Sequence, residues 1–89
     1  MTCISNDKEF QYHYSHVRIA CIDYLNMKFP SLLFSFDSFY NASIGSNKRY
    51  DLTYSAYDHN DAKTYFVNLT VSEVSGKLQV VNSSIHEKA

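Results

Sequence analysis

The segment Lys28-Phe29-Pro30-Ser31-Leu32 divides the chain into two parts of different periodicity. Before it, apolar residues recur with the spacing of a helix, and after it they alternate with the period of two that is typical of strands. Pro30 disfavours helical geometry in the residue before it, so the helix must end by Phe29. This order predicts an α+β fold: one long N-terminal helix packed on a curved four-stranded antiparallel sheet, an α-β-β-β-β meander.

The predicted helix begins near Asn6, whose side chain can cap the first turn, and spans about 22 residues. On a helical wheel, six residues share the stripe that is expected to face the core: Phe10, Tyr14, Val17, Cys21, Tyr24 and Leu25. Three apolar residues lie on the opposite side, where they form a candidate surface for self-association as a homodimer: Tyr12, Ile19 and Ile22.

Four strands are predicted after Pro30: Leu32–Ala42, Tyr50–Tyr57, Lys63–Val74 and Leu78–Ile85. Alternation assigns to the core face Leu32, Phe34, Phe36, Tyr40, Tyr50, Leu52, Tyr54, Ala56, Tyr65, Val67, Leu69 and Val71. The connections are short, with a tight hairpin turn at Ser75-Gly76, so consecutive strands are expected to be antiparallel neighbours. The whole chain, residues 1–89, is predicted to be one domain in which residues 1–5 form a loose segment.

The charge balance excludes several classes of partner. Eight Lys and Arg stand against nine Asp and Glu in 89 residues, for a formal net charge of −1. Duplex binding requires a clustered cationic surface, which this chain lacks, so no nucleic-acid partner is predicted. No apolar run approaches the roughly 20 residues that span a bilayer, and no export signal precedes residue 8. A cytoplasmic protein with no membrane partner is the expectation.

No catalytic constellation, metal site or cofactor is predicted. His13 and His16 are spaced so that both could reach one metal ion, but the sequence supplies no third ligand. The turn Asp58-His59-Asn60-Asp61 joins carboxylates to an imidazole in a segment expected to be exposed, and turns favour these residue types anyway. Cys3 and Cys21 are expected to be free thiols, a single bridge between them being the alternative. The chain is therefore predicted not to be an enzyme.

Aromatic residues make up 16% of the chain, and some of them fall on the outer face of the predicted sheet. Aromatic side chains are enriched in interface cores, so this face is the candidate partner-binding surface. The apolar residues that interrupt its polar pattern are Leu33, Phe39, Tyr57, Phe66 and Val74. With the loops at 45–49 and 58–61, the predicted contact residues are Phe39, Tyr57, Phe66, Lys48, Arg49, Asp58 and His59.

A helix followed by a four-stranded meander resembles the cystatin-like and NTF2-like grouping of folds over most of the chain. Cystatins use a Gln-x-Val-x-Gly hairpin after the first strand, and the corresponding segment here, Asn41–Lys48, lacks the Gln and the Val. The resemblance therefore implies the fold and not the protease-inhibitor activity. NTF2-like proteins hold ligands between helix and sheet, which suggests a pocket lined by Tyr14, Tyr24, Tyr50, Tyr54 and Tyr65.

Two functions are predicted from these observations. The first is a non-enzymatic protein-binding module, in particular a small accessory inhibitor or immunity-type protein that occludes a larger protein. The abundance of Asn, Lys, Tyr, Phe and Ser suits a bacterial, phage or plasmid origin. The alternative is a small-ligand-binding, NTF2-like domain with a tyrosine-lined pocket.

Overall fold

Both helices precede Pro30 and the four long strands follow it, as predicted, and the fold is α+β. The computed structural model describes residues 2–4, 6–44 and 47–88, and the side chains of residues 6–42 and 48–88. Its elements are β1 (Thr2–Ile4), α1 (Asp7–His13), α2 (Ser15–Lys28), β2 (Leu33–Ile44), β3 (Asn47–Asp58), β4 (Lys63–Val74) and β5 (Lys77–Glu87). Strands β2 to β5 are sequential antiparallel neighbours, which confirms the predicted four-stranded meander.

The prediction of one long helix is wrong, because the helical segment is broken at Tyr14. This residue has φ −133° and ψ 44°, outside the helical range, and separates the seven residues of α1 from the fourteen of α2. Its N–H still donates to the Phe10 carbonyl (2.8 Å), and its carbonyl accepts from the Arg18 N–H (3.1 Å). The aromatic, His and Ser residues around the break are weaker helix formers than Ala or Leu. From this position the Tyr14 ring packs 4.5 Å from that of Phe39.

A short strand precedes the helices, within the segment predicted to be loose. Residues Thr2–Ile4, expected to be loose, form a fifth strand that pairs antiparallel with β2, so that Ile4 lies opposite Phe39. A three-residue strand is too short to show periodicity in the sequence. The predicted cap of the first helix is confirmed, because the Asn6 Oδ1 accepts from the backbone N–H groups of Lys8 (2.9 Å) and Glu9 (3.3 Å).

A β-bulge in β2 corrects the predicted face of two aromatic residues. Phe36 pairs with Tyr54 and Ser38 with Thr53, so Asp37 is an extra residue without a partner in β3. An extra residue reverses the alternation of all later side chains relative to the simple pattern. Phe39, predicted to lie on the outer face, is therefore fully buried, whereas Tyr40, predicted to lie in the core, is exposed. A second bulge leaves Val81 of β5 unpaired.

The core lies between the helices and one face of the sheet. Helix α1 packs against β1 and β2, and α2 against β4 and β5. The buried residues are Phe10, Val17, Cys21, Leu25, Phe39, Tyr50, Leu52, Tyr54, Ala56, Val67, Leu69 and Val71. All four of the buried helix residues come from the predicted stripe, and Tyr14 and Tyr24 pack against this cluster. Cys21 is a free thiol.

The connection between β4 and β5 is the tight turn that the sequence predicts. Ser75 and Gly76 both have positive φ (53° and 79°) between β4 and β5, which confirms the predicted tight turn. Gly45, which the sequence also places in a turn, lies outside the described residues. Among the described residues, neither helix combines the length and apolar character needed to cross a membrane.

Candidate functional site

The outer face of the sheet carries an apolar cluster at one end. Leu33 and Tyr57 are directly opposite each other across β2 and β3, and Phe66 of β4 is the diagonal neighbour of Tyr57. Leu33 and Tyr57 are 57% and 41% exposed, and the His59 ring meets the Tyr57 ring edge-on with centroids 5.6 Å apart. We call these four residues, Leu33, Tyr57, His59 and Phe66, the aromatic patch. The Lys88 Nζ lies 5.2 Å from the centre of the Phe66 ring.

The middle of this face carries polar side chains that are hydrogen-bonded to one another. The Thr53 hydroxyl donates to the Asn68 Oδ1 (2.8 Å), and the Thr70 hydroxyl donates to the Asp51 Oδ1 (3.0 Å). Asp51 also forms an ion pair with the Arg49 guanidinium, at 3.3 Å between Oδ2 and Nε. The aromatic patch therefore lies beside a central region of the face in which polar side chains have partners within the sheet.

The predicted contact residues do not form one surface. Tyr57, His59 and Phe66 are in the aromatic patch and Asp58 adjoins it, but Lys48 and Arg49 lie at the opposite end of β3. Tyr57 is nine positions after Lys48 along the strand, which corresponds to about 30 Å. Phe39 is buried beneath the helices and contributes to neither end. Sequence reasoning joined the two ends because both loops flank the same strand. Gly45 and Ser46, in the first of those loops, lie outside the described residues.

The β3–β4 turn uses its own polar side chains for structure. The Asp58 Oδ1 accepts from the Asn60 backbone N–H (2.9 Å), and Ala62 takes the left-handed conformation with φ 54°. The bond between Asp58 and Asn60 is of the local kind that favours Asp and Asn in turns. The His59 side chain is exposed and its ring contacts that of Tyr57, so the turn contributes one imidazole ring to the aromatic patch.

The predicted self-association set is divided by the helix break. Tyr12 lies on α1 and is 83% exposed, whereas Ile19 lies on α2 and is 56% exposed. Ile22 also lies on α2 but is partly buried and packs against the core cluster. The set therefore does not form a single exposed helix face.

The thiol and imidazole groups of the helices do not form a reactive site in the described part of the chain. No group of three or more His, Cys, Asp or Glu side chains there could hold a metal ion. Cys21 is fully buried, and burial raises the pKa of its thiol from 9.0 to about 12. A thiol with so high a pKa is a weak nucleophile at neutral pH.

A groove of about 650 Å³ opens between the start of α2 and the near ends of the strands. Tyr14 and Tyr50 line it together with Val17, and the β4–β5 turn at Gly76 closes one side. It also carries four residues that bear or can bear positive charge: His13, His16, Lys48 and Lys77. Sequence reasoning missed this grouping, because Lys48 and Lys77 approach each other only through the pairing of three strands.

The other predicted pocket tyrosines have separate environments. Tyr54 is buried and lines a second cavity of about 380 Å³, and burial raises the pKa of its phenol. Tyr24 lies at the far end of α2, where its hydroxyl and the Ser83 hydroxyl are 2.8 Å apart. The Lys28 ammonium donates to the Tyr24 hydroxyl (2.9 Å), and these hydrogen bonds from Lys28 and Ser83 lower the pKa of the Tyr24 phenol. The five tyrosines therefore do not surround one pocket.

The chain was compared with protein-family models, with curated proteins and with solved structures. No family model, curated protein or solved structure matches the chain.

Proposed function

We propose that this chain is a non-enzymatic binding module that attaches to a partner protein through the aromatic patch. The observation that carries the proposal is the exposure of Leu33 and Tyr57, side by side, on a sheet face whose central polar side chains are hydrogen-bonded in pairs. Tyrosine is enriched among the residues that dominate binding energy, because it buries a large rigid ring and keeps a hydroxyl for a hydrogen bond.

The partner that suits this patch is a protein with an apolar pocket and polar rim. Tyr57 would enter the pocket, and Leu33 and Phe66 would exclude water around it. Asp58 and Lys88 flank the patch with both signs of charge, which suits a rim of mixed hydrogen-bonding groups. A domain of 89 residues attached in this way would act by occlusion, as an accessory inhibitor or immunity-type protein does.

Affinity capture with matched variants tests this proposal. The tagged protein is incubated with lysate of its source cell, and bound proteins are identified by mass spectrometry. A stoichiometric partner is expected with the parent chain and with the control Tyr40→Ala, which changes a tyrosine elsewhere on the same sheet face. The double variant Leu33→Ala/Tyr57→Ala should lose that partner while keeping the melting temperature of the parent. Undiminished capture by the double variant would contradict the proposal.

A second candidate function is the binding of a small molecule, and the groove favours it. Its volume, about 650 Å³, lies within the range of about 300–1,000 Å³ that is typical of ligand sites. Tyr14 and Tyr50 give it aromatic walls, as the alternative from the sequence requires, although the other three tyrosines lie elsewhere. A saturable change in the amide spectrum of groove residues on adding a ligand would support this candidate.

A further inference from the structure

We infer that the groove between α2 and the β4–β5 turn binds a small aromatic anion, of the aryl carboxylate or aryl phosphate class. The inference rests on the second candidate function and adds the chemistry of the ligand. Two independent features carry it: the sign of the charge around the groove, and the aromatic character of its walls.

The charged groups of the groove are mostly cationic. Lys48 enters it from β3 and Lys77 from β5, with His13 and His16 on the helical side, whereas Glu73 is its single carboxylate. Within the described residues the ion pairs are Arg49–Asp51 and Lys63–Glu87, so neither groove lysine has a carboxylate partner. With histidine neutral, two lysines and one carboxylate leave the groove with an excess of positive charge, whereas the chain as a whole carries a formal net charge of −1. Such a site attracts anions.

The walls of the groove favour a flat ring. Tyr14 and Tyr50 both line the groove, and their ring centroids are 6.1 Å apart at an interplanar angle of 62°, an edge-on arrangement. Aromatic side chains favour contact with a further ring. Val17, Ala20 and Leu78 supply apolar surface beside them. An aromatic ring would therefore lie against the tyrosines while its anionic substituent faces the two lysines.

The second cavity differs from the groove in the charge of the residues that line it. It is smaller, at about 380 Å³, and is lined by Arg18 and Asp7 together with Phe34, Phe36 and Tyr54. One cation and one carboxylate leave it without a net charge, so it offers an anion no comparable attraction. The preference for an anion is therefore specific to the groove.

Three ligands of one shape and different charge test the inference: 2-naphthoate, 2-naphthamide and 2-naphthylmethylammonium. Each is titrated into the full chain by calorimetry and by amide spectroscopy. We expect naphthoate to bind with a Kd below about 1 mM and to shift the amides of Tyr14, Tyr50 and Leu78. The neutral and cationic analogues should bind at least about tenfold more weakly, since each lacks the charge that the lysines attract.

Charge-reversal variants identify the cations responsible. Lys77→Glu and Lys48→Glu should each weaken naphthoate binding by about tenfold or more. The control is Lys8→Glu, which changes an exposed lysine of α1 that does not line the groove and should leave naphthoate binding unchanged. Equal affinity for the three ligands would overturn the anion preference and leave a ligand-binding groove. Saturable shifts from none of them at groove residues would overturn the inference and the second candidate function together. The aromatic patch is tested separately by protein capture.

Discussion

Phe39 is the residue at which the structure departs furthest from simple alternation. Its ring lies 4.8 Å from that of Phe10 and 4.5 Å from that of Tyr14, with no exposed surface. Phe39→Ala should lower the free energy of unfolding by about 3–5 kcal/mol, since it removes a buried aromatic ring and leaves a cavity. Urea denaturation followed by circular dichroism measures this loss.

The control for Phe39 comes from the same strand. Leu33 is also an apolar residue of β2 but is largely exposed, so Leu33→Ala should change the free energy of unfolding by about 0.5 kcal/mol or less. If Phe39→Ala proves as mild as Leu33→Ala, then Phe39 faces outward and the bulge at Asp37 is absent. The pair of variants thus tests the register of the strand directly.

Cys21 makes the free energy of unfolding depend on pH in the alkaline range. Burial raises the pKa of its thiol from 9.0 to about 12, so between these values the thiol loses its proton in the unfolded chain and keeps it in the native one. The stabilisation is therefore complete below about pH 9 and declines as pH rises towards 12, by about 1.4 kcal/mol per pH unit.

Cys21→Ala isolates this contribution. The variant should be less stable than the parent at neutral pH, because the substitution leaves a small cavity. Above pH 9 its free energy of unfolding should decline less steeply, by about 1.4 kcal/mol per pH unit, because it lacks the thiol that titrates there. Urea denaturation at a series of pH values measures both slopes. Parallel slopes for the two proteins would show that the thiol titrates alike in both states.

At the scale of elements, the first helix depends on its cap. Helix α1 has seven residues, and the Asn6 side chain accepts hydrogen bonds from two of its otherwise unpaired N–H groups. Asn6→Ala should lower the free energy of unfolding by about 1 kcal/mol, measured by urea denaturation. Asn6→Asp keeps the acceptor and should stay within a few tenths of a kcal/mol of the parent. Equal losses in both variants would mean that the cap does not stabilise α1.

The sequence predicted the regular parts of the elements better than their irregularities. The cap at Asn6, the turn at Ser75-Gly76 and the four strands follow from local residue preferences, and the structure confirms them. The break at Tyr14 was not predicted, because the apolar stripe continues across it with unchanged spacing. The bulge at Asp37 was missed for a similar reason, since a strand with an extra residue still looks alternating on each side of it.

At the scale of the whole molecule, the two candidate surfaces lie apart. The aromatic patch is at the Tyr57 end of the sheet on its outer face, whereas the groove is at the Lys48 end beneath the helices, about 30 Å away along β3. Sequence reasoning found most of the patch, because exposed aromatic residues show in the alternation of a single strand. It could not find the groove, whose charges come from segments far apart in the chain.

This separation predicts that the two surfaces act independently. Tyr57→Ala should leave the Kd for 2-naphthoate within about twofold of the parent value, because mutations at distant sites that share no partners have additive effects. Lys77→Glu should likewise leave capture of the partner protein unchanged. A change in naphthoate affinity on substituting Tyr57 would show that the two surfaces are coupled through the sheet. Calorimetry and affinity capture measure the two halves of this prediction.

The bulges also determine where the chain can change in length. Removing one residue from a regular strand turns every later side chain to the opposite face. Removing Asp37 has a different effect, because Phe36 and Ser38 already pair with consecutive residues of β3. Val81 is in the same situation, between Val80 and Asn82 opposite Val71 and Thr70. These are the positions in the described strands at which a single-residue deletion would leave the core residues in the core, so a shortened variant of this protein is best made there.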